Sequence, residues 1–224
     1  MRDKNLLLDA VIKLVAGIVL IWLMLFWPAG TIHYFGAWLF SAVLFIPVMI
    51  MGIILYAKEP ELLRKRLQEK EEQAEQRSVV ALSGLMFLCG FVSAGLDFRF
   101  GWTNMPLWVT IMGAVLFLIG YGLFAEVMRE NAYLSRTVEV QEGQTVIDSG
   151  LYGIVRHPMY SATVLMFCTM PLILGSWLSF VIFLVYPLLL VKRIQNEEQV
   201  LKDGLDGYAA YCERVRYRLL PLIW

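Results

Sequence analysis

Histidine and cysteine are both scarce: the 224 residues hold only His33, His157, Cys89, Cys168 and Cys212. They form no CxxC pair and no Cys/His ligand spacing, so the sequence offers neither a metal site nor a disulfide framework. Cys89 and Cys168 sit in apolar runs and Cys212 near the tail, and all three read as small buried hydrophobes. Charge is also short. Asp, Glu, Lys and Arg make up 17 % of the chain, against about 25 % in soluble domains. The 19 basic and 19 acidic residues cancel, which leaves no reason to expect nucleic acid as a partner, because that needs a concentrated basic surface. A Gly-rich dinucleotide fingerprint, an internal repeat and a low-complexity tract are all missing.

What the chain has in excess is apolar. Hydrophobic residues reach 59 %, where soluble domains run about 45–50 %, and the charges cluster between the apolar runs. A bilayer core takes roughly 20 mostly apolar residues per helix. Six runs come close, at about residues 6–27, 36–56, 79–96, 107–127, 158–174 and 177–191. The first carries Asp9 and Lys13 near its start. It is too long for the apolar region of a signal peptide and no small-x-small cleavage site follows it, so it is read as a helix in its own right. Only Gly175 and Ser176 separate the short fifth and sixth runs, which predicts a tight helical hairpin. The charged stretch at about 57–78 reads as a solvated interhelical helix. Beyond the sixth run, Leu201, Leu205, Tyr208, Cys212 and Val215 fall on one helical stripe. That stripe predicts a C-terminal amphipathic helix, on the membrane surface or packed under the bundle. The expected fold is an all-α membrane protein of about six transmembrane helices. Residues 1–130 form its N-terminal helices and 131–224 a C-terminal region that carries the chemistry.

Basic residues in short flanks set orientation. They gather at Arg2 and Lys4, at Lys58, Arg64, Lys65, Arg66, Lys70 and Arg77, at Arg129, Arg136 and Arg156, and at Lys192, Arg193, Lys202, Arg214, Arg216 and Arg218. The alternate loops hold only Arg99. Both chain ends are therefore expected on the cytoplasmic side of an inner, plasma or ER-type membrane, which needs an even number of spans.

Two polar clusters lie at that edge. The first is SGLYGIVRHPMY, from Ser149 to Tyr160. Gly150 and Gly153 permit tight turns, and Pro158 suits the first turn of the following helix. Arg156 and His157 then stand at a helix N-terminus, a place that attracts anionic groups. With Tyr152 and Tyr160 they make either a polar ligand site or an interfacial anchor. The second cluster is KRIQNEEQVL, from Lys192 to Leu201. Arg193 and Glu197 share a helix face, and Glu198 lies about 100° round from Glu197 at 3.6 residues per turn. Tyr208 and Tyr211 follow, as interface anchors or pocket walls.

Together the clusters resemble the isoprenylcysteine carboxyl methyltransferase family and its wider phospholipid methyltransferase group. The pieces are Gly150, Tyr152, Arg156, His157, Pro158 and Tyr160, then Glu197, Glu198 and Leu201, then Gly207, Tyr208 and Tyr211, with VRYRLLPLIW at the end. The resemblance covers roughly 134–222. It implies methyl transfer from S-adenosyl-L-methionine to a lipophilic or prenylated acceptor drawn from the bilayer. The cofactor would meet Gln144, Thr145, Val146, Ile147, Tyr152, His157, Pro158, Met159, Tyr160 and Glu197. Arg193 would hold substrate, with Glu198 beside it, and Arg193, Glu197 and Arg156 would carry the catalytic work. Val138 to Gln144 aligns loosely, and Leu151 stands where many members have Pro.

The residue chemistry agrees with these roles. Glu197 can pair with the cofactor's ammonium, and the helix N-terminus with His157 can take its carboxylate. Tyrosine faces suit adenine or a sulfonium. A carboxyl acceptor on a prenylated cysteine, an ethanolamine lipid, a fatty acid and a quinone-like or isoprenoid molecule all fit. Sterol-reductase-like membrane proteins are similar in C-terminal architecture and tyrosine-rich pocket, which makes an NADPH-dependent reductase the second enzyme reading. The non-enzyme reading is a lipid-binding scaffold whose polar clusters only anchor it. His33 reads as a solvated loop residue and Asp97 and Arg99 as a helix end. Glu126, Arg129 and Glu130 read as interfacial charge, and Asn131 as a candidate pocket wall.

Overall fold

A computed structural model describes residues 4–67, 74–131, 133 and 140–224. Arg2, Lys70 and Arg136 of the basic flanks, and Val138 and Glu139 at the start of the loosely aligned segment, lie outside these residues. Among the described residues the chain is all helix, turn and loop, without a strand. The helices are α1 (Lys4–Ala29), α2 (Phe35–Lys58), α3 (Pro60–Leu67), α4 (Ala74–Phe100), α5 (Leu107–Glu130), α6 (Pro158–Leu174), α7 (Trp177–Phe183), α8 (Val185–Gly204) and α9 (Tyr208–Arg214).

Among the described residues five stretches are long and apolar enough to cross a membrane: Asn5–Ala29, Phe35–Lys58, Ser78–Phe100, Leu107–Glu130 and Trp177–Gly204, with Pro158–Leu174 as a shorter apolar helix. This is the all-α membrane fold that the apolar runs predict. The outward faces show the same thing. Leu8, Ile12, Val15, Leu20 and Leu23 of α1 all point out of the bundle. In water such a face would be a severe cost, whereas in a bilayer hydrocarbon is the solvent.

With no hydrophobic drive between helices in lipid, small residues let backbones approach. Cβ atoms at Gly113 and Gly120 of α5 would meet Leu172 Cβ at 2.8 Å and Met166 Cγ at 2.8 Å, so α6 lies directly on α5. At Gly36 a Cβ would fall 2.7 Å from the carbonyl oxygen of Ile173, which brings α2 against the same helix. Because that neighbour is backbone, it cannot swing aside. Gly36→Ala is expected to destabilise the bundle by about 1–3 kcal/mol through overpacking, read as a lowered thermal midpoint in detergent; an unchanged midpoint would contradict this packing. Phe40, Phe91, Phe117 and Phe183 fill the centre, in a core that runs from Leu25 to Leu219.

The fifth and sixth apolar runs do form a hairpin. α6 ends on Gly175 in the left-handed conformation at φ 74°, and Ser176 caps α7 by accepting from Ser179 N at 3.1 Å. Asp97 fastens this turn. It is 2 % exposed and accepts from Thr103 N at 2.7 Å, from Thr103 Oγ1 at 2.5 Å and from Ser176 Oγ at 2.5 Å. Asp97 is therefore a buried clasp and not just a helix end.

Two expectations need correction. The sixth run does not stop near 191. It breaks at Leu184 and resumes as α8 to Gly204. Pro187 explains the break, because its ring displaces the carbonyl four residues back, on Phe183. The second correction concerns the tail, which is not one amphipathic helix. α8 ends at Leu205, Gly207 turns with φ 83°, and the short α9 follows. The stripe residues Leu205, Tyr208 and Val215 still pack together, with Tyr211, and do so inward against Val140 and Val146 rather than onto a lipid surface.

The basic flanks converge on one end. Leu6 of α1, Leu55 of α2, Leu63 of α3, Val127 and Met128 of α5, and Tyr152 share a single cluster there. Lys13 Nζ donates to the carbonyl of Leu67 at 2.5 Å beside it.

Candidate functional site

Residues 140–160, the end of α8, α9 and the tail meet at this basic end. The 140–149 segment is held extended by a turn in which Gln144 N donates to Gln141 O at 3.1 Å and Gln141 N to Gln144 Oε1 at 2.9 Å. Gly143, at φ 72°, makes that turn possible. A single 3-10 turn, Gly150–Gly153, comes next. Glu130 fixes it from the end of α5 by accepting from Leu151 N at 3.0 Å. Tyr152 is thereby presented inward. Its hydroxyl accepts from Asn131 Nδ2 at 2.9 Å and its carbonyl from Tyr211 Oη at 2.8 Å.

The tail straps the start of α6. Arg156 N donates to Tyr217 O at 2.8 Å, His157 N to Arg218 O at 2.9 Å, and Ser161 Oγ to Leu219 O at 2.6 Å. Beneath the strap lies a buried ionic knot centred on Glu198, which is 2 % exposed. Its carboxylate accepts from Arg156 Nε at 2.7 Å and Arg218 Nε at 3.1 Å, and His157 Nε2 stands 3.2 Å away. Arg156 Nη1 also donates to the carbonyls of Val215 and Arg216, at 2.7 and 2.9 Å.

Next to the knot opens a narrow cleft of about 100 Å³, partly open to solvent. One side is charged. There Tyr160 Oη donates to Glu197 Oε2 at 2.5 Å and accepts from Arg193 Nε at 2.9 Å. The rings of His157 and Tyr160 stack at 5.7 Å, and His157 Nδ1 lies 3.9 Å from Glu197 Oε1. The other side is apolar and aromatic, built from Val146, Leu201, Leu205, Tyr208 and Tyr211. Burial holds both Tyr208 and Tyr211 well above the ordinary phenol value, so each keeps its proton.

The structure brings together Gln144, Thr145, Val146, Ile147, Tyr152, Arg156, His157, Met159, Tyr160, Arg193 and Glu197 as lining residues. Pro158 and Glu198 do not line the cleft. Pro158 opens α6 at its first turn, with His157 as the N-cap residue. Glu198, expected beside substrate, is enclosed by Arg156, Arg218 and His157 instead. The guanidinium of Arg156 is likewise turned into the knot, which makes it a framework group. The ring nitrogens of His157, expected at a ligand carboxylate, face the chain's own Glu197 and Glu198. Asn131 does join the wall. Tyr133, Leu201 and Leu205 also line it. Their signal in the sequence was weak: Tyr133 precedes the loosely aligned stretch, and the two leucines read as part of an amphipathic stripe. Glu126 and Arg129 pair with each other at an exposed surface.

A family model matches in this part of the chain. Residues 108–205 match the phospholipid methyltransferase family model. That match takes in α5, the 3-10 turn, α6, α7 and α8, including His157, Tyr160, Arg193 and Glu197. The Delta(14)-sterol reductase TM7SF2 of Mus musculus is 32 % identical over 91 residues, 39 % of this chain and 22 % of that protein. The 7-dehydrocholesterol reductase of Arabidopsis thaliana is 29 % identical over 82 residues, 35 % of this chain and 19 % of that protein. The matched segments thus span only about a fifth of these relatives. The family match supports a membrane methyltransferase, without identifying its acceptor.

Proposed function

We propose that the protein is an S-adenosylmethionine-dependent methyltransferase that acts on a lipophilic acceptor, most simply the carboxyl group of an isoprenylcysteine-like amphiphile. The observation that carries this reading is the two-sided cleft, lined mostly by the segment that matches the methyltransferase family and completed by Tyr208 and Tyr211. Glu197 offers a carboxylate to an ammonium, and the tyrosines offer π faces to a purine and a sulfonium. The chain ends and the cleft would face the cytoplasm, where the cofactor is dissolved, while the acceptor arrives from the bilayer.

When bound, S-adenosylmethionine supplies a methyl group on a positively charged sulfur that becomes a neutral thioether after transfer. The residues around it have little proton chemistry to do. A carboxylate acceptor is already a nucleophile at neutral pH, so alignment and exclusion of water suffice. Arg193 holds the acceptor's charge, with its own position fixed through Tyr160. Tyr160 in turn aligns Glu197. An ethanolamine lipid acceptor would need a base to take a proton from its ammonium. Glu198, enclosed among cations, is poorly suited to that task, which favours the carboxyl reading.

Glu197→Gln keeps the shape and removes the charge. It is expected to weaken S-adenosylhomocysteine binding about 10–100-fold, the worth of a charge-assisted hydrogen bond. Calorimetry on the purified protein measures it. Absence of binding by the intact wild type would overturn the methyltransferase reading. The second reading, an NADPH-dependent reductase, is favoured by the two sterol-reductase relatives. Nicotinamide oxidation in the presence of a lipid extract separates the two.

A further inference from the structure

Among the described residues one buried side-chain polar atom has no hydrogen-bond partner, and it is the hydroxyl of Tyr208. The residue is 4 % exposed and lines the cleft. A buried hydroxyl without a partner is costly in the empty protein, and buried polar groups in native proteins are nearly always satisfied. The phenol keeps its proton at neutral pH, because burial and the nearby Cys212, Glu198 and Glu197 all oppose its ionisation. It is therefore a protonated donor enclosed beside the cleft, with the Cys212 thiol near it and no oxygen or nitrogen acceptor of its own.

The surroundings identify the acceptor. Tyr208 belongs to the apolar side, with Val146, Leu201, Leu205 and Tyr211 as neighbours. An ammonium or carboxylate would find no charged partner among these residues, and such groups belong with Arg193 and Glu197. A flat heteroaromatic ring suits the apolar side: its faces meet aliphatic and aromatic walls, and its edge carries lone pairs. Gly207, at φ 83°, sets this orientation by ending the α8 register and starting α9 one residue before Tyr208.

On the methyltransferase reading, we propose that Tyr208 reads the cofactor's adenine, by donating a hydrogen bond from its hydroxyl to a purine ring nitrogen. This makes Tyr208 a specificity-determining residue, distinct from the charged residues that grip the amino-acid end. The neighbouring Tyr211 has a different task, since its hydroxyl is committed to the Tyr152 carbonyl.

The test is a cycle between protein and ligand, by calorimetry on the full chain in lipid-detergent micelles. The variants are wild type and Tyr208→Phe, which keeps the ring. The ligands are S-adenosylhomocysteine and its analogues with CH in place of N1, N3 or N7. Tyr208→Phe is expected to bind the parent ligand about tenfold more weakly. One of the three analogues should show the same loss on wild type and no further loss on the variant. The variant's ligand-free melting midpoint should not fall, because the group removed had no partner. The proposal is overturned if the variant binds the parent ligand as tightly as wild type does, or if every analogue loses equally on both proteins; the methyltransferase reading survives either result. If wild type binds none of these ligands, that reading falls and this one with it.

Discussion

Glu198→Ala is expected to destabilise the protein by about 3–5 kcal/mol, the cost of stripping the counter-ion from a buried ionic group. The reason lies in what would be left behind. Arg156, with 7 % of its side chain exposed, would lose the carboxylate that neutralises it, His157, with 3 %, would lose a hydrogen-bond partner, and Arg218, with 31 %, would lose an ion pair. Neither Arg156 nor His157 can reach water without breaking the strap that binds residues 215–219 to the start of α6. The loss should therefore spread through α6, α8 and the tail together. A thermal melt in detergent, followed by tryptophan emission, is a direct check, because Trp224 is packed on the core and its ring lies 5.2 Å from Arg218 Cζ. Arg218→Ala serves as the comparison. Its partly exposed charge can be released to solvent, so its ion pair should be worth no more than about 1 kcal/mol. A Glu198→Ala midpoint equal to wild type would mean that the knot carries no load.

Glu197 and Glu198 show how far the sequence could be read. Their adjacency on a helix after an apolar run marks both as unusual, since charge at a membrane edge is costly. Helical geometry says that they face different directions, about 100° apart. It does not say which one faces the ligand. That depends on the tail, whose residues 215–219 deliver the Arg218 side chain and five backbone carbonyls to the back of the α6 N-terminus. No local pattern in VRYRLLPLIW announces that return. The same long-range contact turns the Arg156 guanidinium and the His157 ring toward Glu198, while both residues still line the cleft. The six apolar runs were easier to read, because a bilayer imposes length and polarity on each segment separately. The extension of the last rod to Gly204 was hidden because α8 turns charged while remaining helical, so a hydropathy reading ends it too early. The cleft lining was legible wherever a motif fixes local conformation, as at Tyr152 and Tyr160. It was less legible at Leu201 and Leu205, where apolar residues at helical spacing describe a core as well as a pocket.

The second large effect is expected at Arg193. Arg193→Ala should lower methyl transfer about 100-fold or more while leaving S-adenosylhomocysteine binding nearly unchanged, since misplacing a reacting group by about 1 Å already costs about 100-fold. The two effects separate because Arg193 reaches the site through Tyr160, with Nε 2.9 Å from its hydroxyl oxygen and Cζ over its ring at 5.9 Å from the centre. Tyr160 and Glu197 keep their own hydrogen bond when the guanidinium is gone. Arg193→Lys should recover little, because an ammonium cannot reproduce a planar, two-pronged grip on a carboxylate. The sign of the result also bears on the acceptor. A fixed cation beside the reacting atom favours an anionic acceptor and opposes a protonated amine by like-charge repulsion. With a carboxyl acceptor, removal of Arg193 must therefore slow transfer, and the loss should appear in kcat as well as KM. With an amine acceptor, removal of the cation would leave transfer unchanged or raise it. A labelled-methyl assay on membrane lipids and proteins, run for wild type, Arg193→Ala and Arg193→Lys with identification of the labelled product, reads both the magnitude and the sign. A rise in transfer on loss of Arg193 would reject the carboxyl reading in favour of N-methylation.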